Sequence, residues 1–160
     1  RESFDAAFCK GALDHFDDPE SAIAEMARVT RRDGIVVLAI ANFDSLACRV
    51  TRAIDGLRRE WLGLPPLRKR RGYDTPSDHF TRYELALMRE QAERAIELDR
   101  VIGISLGWGM PGWTALLARV PEPFALGLLR GADFLARRFP TLADVVVLVG
   151  RPRSRVAGRA

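Results

Sequence analysis

At 160 residues the chain fits one domain of ordinary size or a large piece of one. Hydrophobic residues make up 48% and charged residues 29%, which excludes a disordered tail, and no apolar run approaches the roughly 18–20 residues of a membrane helix. The net charge of +4 is a local feature: eight basic residues from Arg49 to Arg71 against Asp55 and Glu60 give +6 there and leave −2 for the rest.

The first residues, RESFDAAF, lack the basic region and apolar stretch of a signal peptide. They also lack a starting Met and open almost directly into a strand, which reads as a fragment. Residues Phe4 to Lys10 (FDAAFCK) have the length and composition of a short buried strand, closed by Gly11. Cys9 and Cys48 sit in no CxxC pair and beside no ligand-spaced His. No metal site is expected from them, and two free thiols in a reducing, cytoplasmic setting are.

Asp18 is placed as a helix N-cap with Pro19 at the first helical position and Glu20 near the positive end of the dipole. Ile23, Met26, Ala27 and Thr30 recur at helical spacing, and Gly34 is expected to stop the helix in the left-handed conformation. The run IVVLAIA over 35–41 then reads as a strand covered on both faces. Strand, helix and strand with short joints make a βαβ unit, hence a parallel sheet.

Residues 42–64 are predicted helical, with Leu46, Val50, Ile54, Leu57 and Trp61 as the apolar stripe and Gly63, Pro65 and Pro66 ending it. The segment PPLRKRRGYDTPSDH reads as a long polar loop, a type that is usually functional or mobile. Thr81 and Glu84 suggest a capping box, with Phe80 and Leu85 as its staple, for a helix reaching Ala95. A strand over 98–106, the loop GWGMPGW, helices near 114–119 and 123–138 and a strand over 144–150 complete the chain. RPRSRVAGRA is expected to be a frayed basic tail, its last residues 153–160 beyond the domain.

The stretch from Phe4 to Asn42 resembles the fourth and fifth strands, with the helix between them, of class I S-adenosylmethionine-dependent methyltransferases. The likeness is to the type 11 branch that includes quinone-biosynthesis enzymes. Phe4, Asp5, Leu13, His15, Asp18, Pro19, Glu25, Arg28, Val29 and Gly34 carry the resemblance, and Thr30 to Asp33 depart from the usual Leu-Lys-Pro-Gly. It implies an α/β, Rossmann-like fold seen from its fourth strand onward, over residues 1–152, with a helical and basic insertion near 43–80. It also implies a last strand running antiparallel between the fifth and sixth. The family's Gly-rich cofactor loop and its ribose-binding acid would precede residue 1.

The resemblance further implies S-adenosylmethionine as cofactor, with Cys9, Lys10 and Gly11 beside its amino-acid end. The bland alternatives are a buried filler for Cys9 and a solvated charge for Lys10. His15, in the turn near the transferring methyl, is a candidate base for an acceptor hydroxyl or amine, or a residue that fixes the turn. His79 is a candidate substrate contact, and Asn42 and Phe43 would line the acceptor side. Trp61, Tyr73, Trp108 and Trp113 could build an apolar acceptor pocket or be plain core.

Gly107, Gly109 and Gly112 spell GxGxxG, but Pro111 removes an amide, Trp108 is bulky, and no second parallel strand follows. That loop reads as a turn before a helix anchored by Trp113. The function expected is methyl transfer to a small-molecule acceptor. No nucleic acid is expected, because Cys9 to Ala12 are not the acidic-Pro-Pro-aromatic tetrad of that chemistry. The alternative is a non-catalytic module that docks on an anionic surface or membrane through Arg68, Lys69, Arg70 and Arg71.

Overall fold

The computed structural model describes residues 2–66 and 73–153. The element order is β1 (Phe4–Lys10), α1 (Pro19–Val29), β2 (Thr30–Ala41), α2 (Leu46–Leu62), α3 (Leu85–Glu93), β3 (Ile96–Ile104), α4 (Trp113–Leu117), α5 (Glu122–Arg138) and β4 (Val145–Pro152). The strands form a four-stranded sheet in the order β1-β2-β4-β3. β1 and β2 are parallel, as the βαβ reading requires. The Asp144 N–H donates to Ser105 O at the end of β3, while Arg153 N–H donates to Ala95 O at its start. β4 therefore runs antiparallel to β3 and stands between it and β2, the position the resemblance implies. This is a Rossmann-like mixed α/β fold.

The chain divides into two compact units. The first comprises Arg1–Ile40, Asp78–Val101 and Val147–Ala160. Its core is Leu13, Ile23, Val36, Leu38, Ile40, Tyr83, Met88, Ala92, Ile96 and Leu148, all buried. Leu38, Ala39 and Ile40 are buried in succession, so β2 is covered on both faces there. β1 is a different case. Phe4 and Phe8 are 57% and 65% exposed, so the expected buried strand is an exposed sheet edge among the described residues.

α1 starts where its punctuation says: Asp18 Oδ1 accepts the Ser21 N–H at 3.0 Å and Pro19 is the first helical residue. It does not run to Gly34. Thr30 is already extended and pairs with Phe4, so β1 draws the chain into β2 directly after Val29. β2 then advances from Thr30 to Ile35 while β1 advances only from Phe4 to Ala6, an irregularity that contains Gly34. A Cβ at Gly34 would lie 2.7 Å from the Asp5 carbonyl oxygen, so the glycine serves close backbone approach rather than helix termination. Arg31, in the first residues of β2, pairs with Asp5 of β1.

The Thr81 capping box is not formed. Thr81 N–H donates to Asp14 O, and α3 begins at Leu85 with Glu84 at its cap. Phe80, its supposed staple, is exposed.

The second unit comprises Ala41–Ser77 and Ile102–Val146. α2 is capped by Ser45, whose side chain accepts the Cys48 N–H, and ends at Gly63 as expected, with that glycine in the left-handed conformation. Its buried stripe is not the predicted one. Ala47, Cys48, Thr51 and Asp55 face inward, whereas Ile54, Leu57 and Trp61 are exposed, Trp61 at 81%. Asp55 is buried with its carboxylate accepting from the Tyr73 hydroxyl at 3.0 Å. The basic stretch Arg68 to Arg71, and with it the proposed anionic-surface contact, lies outside the described residues, as does the tail from residue 154. Among the described residues no helix is long and apolar enough to cross a membrane.

Candidate functional site

The C-terminal end of β1 is the end of an open α/β sheet at which ligands bind. Gly11 turns the chain there with φ +56°, and nothing lies within 4 Å of where its Cβ would be, so backbone is open to approach. Its N–H is taken by Ala39 O at 2.8 Å. Lys10 is exposed and Cys9 is half-buried. Burial pushes the Cys9 thiol up, against the opposing pull of the Ala12 and Leu13 amides. Cys9 and Cys48 are both free thiols.

A single 3-10 turn, Leu13–His15, follows. Leu13 is fully buried and fixes the turn to the core, which carries its neighbour Asp14 inward. The Asp14 side chain is 5% exposed and that of His15 41%. Segment 78–81 is tied to this turn by its backbone: the Phe80 and Thr81 N–H groups both donate to Asp14 O, at 2.8 and 3.3 Å. The tie brings His79 against His15, ring centroids 4.4 Å apart and crossed at 75°.

Asp14 Oδ2 lies 3.0 Å from His79 Nδ1, and Asp14 Oδ1 lies 3.9 Å from His15 Nε2. His15 Nδ1 is 2.9 Å from the Asp78 carbonyl oxygen. A carbonyl only accepts, so Nδ1 carries the hydrogen in that bond, and a neutral ring then holds its lone pair at Nε2. Asp14 Oδ1 is buried without a hydrogen-bond partner. Behind the cluster, Tyr83 is fully buried with its hydroxyl donating to Gln91 Oε1 at 2.8 Å. Burial first, then the Asp14 charge, pushes its ionisation up to about 12.

His15 and His79, singled out separately in the sequence, thus meet around a carboxylate. Asp14 had not been singled out. Its signal was a polar residue between a core leucine and a turn histidine, in a one-turn element too short to show a period. Such a site can accept a proton at His15 Nε2, hold a hydroxyl, or present two nitrogens and a carboxylate to a cation.

Asn42 and Phe43 belong to the second unit, and both are buried. The Asn42 amide donates to Thr141 O and Ala143 O at 3.0 and 2.9 Å, and its oxygen accepts the Asp44 N–H. Both amide hydrogens of Asn42 are thus committed within the second unit. The GxGxxG loop is organised from within: Trp108 N–H donates to Asp144 Oδ2 at 2.7 Å, and Met110 N–H to Gly107 O. Burial pushes the Asp144 carboxyl up while the Trp108 and Ser105 bonds oppose it. The Trp108 and Met110 amides are thus engaged within the protein. Trp61 and Trp108 are both largely exposed and Tyr73 is held by Asp55, so these three do not close an aromatic pocket.

The family model described as "Methyltransferase domain" matches residues 1–38, which span β1, α1 and most of β2. No curated protein matches the chain significantly. Among solved structures, a chain of the complex between the Haloferax volcanii Trm112 methyltransferase activator and a protein assigned as a methyltransferase aligns at 18% identity. It covers 96% of this chain and 56% of that one, with a TM-score of 0.49. A protein of Bacillus halodurans C-125, assigned as a methyltransferase, aligns at 15% over 94% of this chain and 70% of that one, TM-score 0.45. The YcgJ protein of Bacillus subtilis aligns at 18% over 96% and 66%, TM-score 0.42. The chain therefore spans little more than half the length of the first of these.

Proposed function

We propose that the protein serves methyl transfer from S-adenosylmethionine to a small-molecule acceptor, with Asp14, His15 and His79 on the acceptor side. The observation that carries this reading is a coincidence of position. The segment that matches the methyltransferase domain, residues 1–38, is the βαβ unit whose first strand ends at Gly11 and the Asp14–His15 turn. Cys9, Lys10 and Gly11 flank the cofactor's amino-acid end in this reading. Gly11 fits such a contact, because the space a Cβ would fill is open. The Lys10 ammonium would be repelled by a sulfonium, so its part is through backbone.

The cofactor supplies an electrophilic methyl carbon on a positively charged sulfur. What this chain adds is position and a proton acceptor. His15 Nε2, its tautomer set by the Nδ1 bond to Asp78 O, would take the proton of the acceptor hydroxyl or amine, while the bond the methyl carbon breaks to sulfur would leave its electron pair on sulfur. Asp14 and His79 hold the turn that carries His15. Asn42 and Phe43 carry no part of the proposal.

The test is calorimetric titration of S-adenosylhomocysteine into the full-length protein. Micromolar binding is expected, and a folded protein that binds neither this product nor S-adenosylmethionine would sink the reading.

A further inference from the structure

We propose that Asp14, His15 and His79 form a binding site for a first-row divalent transition-metal ion of the zinc type. The donor set is two imidazole nitrogens and one carboxylate oxygen, a borderline set that suits such ions and leaves coordination positions open. One ligand atom from each of the three residues lies within 4.8 Å of the others. With bonds of about 2.1 Å, tetrahedral ligand atoms sit roughly 3.4 Å apart. Each carboxylate oxygen of Asp14 faces one ring, Oδ2 at 3.0 Å from His79 Nδ1 and Oδ1 at 3.9 Å from His15 Nε2, so small rotations of these side chains bring the three donors to that spacing.

Two further observations point to a ligand. Asp14 Oδ1 is a buried carboxylate oxygen with no hydrogen-bond partner, on a side chain only 5% exposed. A native fold seldom leaves such an atom unsatisfied, and here it faces His15. His15 also has the outer support that ligating histidines have: its Nδ1 donates to a backbone carbonyl, which orients the ring and leaves Nε2 for the ion. The third ligand is pre-placed, because the Asp14 carbonyl receives the Phe80 and Thr81 amides and so fixes segment 78–81 with its histidine. The half-exposed His15 ring leaves the site open to solvent, where a water or an acceptor oxygen completes the coordination.

Metal binding does not depend on the methyl-transfer reading; its use does. With an ion bound, the Nε2 pair would be spent on it; the ion would acidify a coordinated acceptor hydroxyl, whose proton would leave to water on the solvent-open side of His15.

Both histidines of this sequence are in the cluster, and substituting them addresses it directly. The full-length protein, stripped with a chelator, is titrated with ZnCl2 by calorimetry and with CoCl2 by visible absorption. One ion per chain with micromolar affinity is expected, and His15→Gln, His79→Gln and Asp14→Asn should each weaken it roughly 100-fold or more. Circular dichroism checks that each variant is folded. No uptake by folded wild type at millimolar ZnCl2, or uptake unchanged in the double histidine variant, would overturn the site. S-adenosylhomocysteine binding without zinc binding would remove the metal and leave the methyl-transfer reading standing. Zinc binding without S-adenosylhomocysteine binding would support the metal alone.

Discussion

His79 Nδ1 stands 3.0 Å from Oδ2 of Asp14, a residue in the turn that follows β1. The same aspartate receives the Phe80 N–H on its carbonyl oxygen, so one residue holds segment 78–81 through both main chain and side chain. Asp14→Ala keeps the carbonyl contact and removes the carboxylate, leaving a partly buried imidazole beside an apolar gap. The expected cost is about 1–3 kcal/mol of stability. Asp14→Asn, which keeps an oxygen at that position, should lose less. Urea denaturation measures both; an Asp14→Ala midpoint equal to wild type would show that the carboxylate holds nothing.

That relationship marks the limit of what could be read from sequence. β1, the Asp18–Pro19 start of α1 and the Gly63 stop of α2 were legible because each rests on local chemistry: an apolar run, a cap, a left-handed glycine. The errors arose where tertiary contacts overrode local signals. Thr81 has the residue type of an N-cap, but its amide goes to Asp14 and the helix waits until Leu85. α2 shows a clear apolar stripe, yet the second unit buries Ala47, Thr51 and Asp55 instead. Both histidines were picked out by type, while their contact, formed between segments far apart in the chain, leaves no trace in spacing.

Gly34 has the residue type of a helix stop but occupies a close-packed position between β1 and β2, and the two roles predict different behaviour. A left-handed stop would make Gly34→Ala a matter of backbone strain. Here the added methyl would meet the Asp5 carbonyl oxygen and Thr30 Cγ2, each at 2.7 Å. Neither β1 backbone nor a buried threonine moves easily, so a loss of about 1–3 kcal/mol is expected. Gly11→Ala offers the contrast, since it faces open space and carries only the strain of φ +56°. Gly34→Ala should therefore lower the thermal midpoint more than Gly11→Ala, and the reverse order would return Gly34 to a conformational role.

Asp18 caps α1 by accepting both the N–H and the hydroxyl of Ser21, and these bonds hold its carboxyl below the usual carboxylate range. The sign follows from linkage. With the folded value depressed, the stabilisation is present above the unfolded value and is lost as pH falls through the folded one. Asp18→Ala should melt below wild type at pH 7, and the gap should narrow at pH 2–3. Asp18→Asn should keep most of the cap and show little of that pH dependence. A gap that stays constant from pH 7 to pH 2 would mean that the ionised carboxylate contributes nothing.

Tyr83 shows the opposite sign at the alkaline end. Its ionisation is pushed up to about 12, first by burial and then by the charges of Asp14, Cys9 and Glu20. The folded state thus resists losing a proton that the unfolded chain gives up near pH 10. The Tyr83 contribution to stability is intact below pH 10 and is lost as pH rises through about 12. Tyr83→Phe removes the ionisable group and leaves Gln91 Oε1 without its donor, which should cost about 1 kcal/mol at pH 7. Between pH 10 and 12 the denaturation midpoint of wild type should fall more steeply than that of the variant. Parallel curves would place the Tyr83 hydroxyl in contact with water.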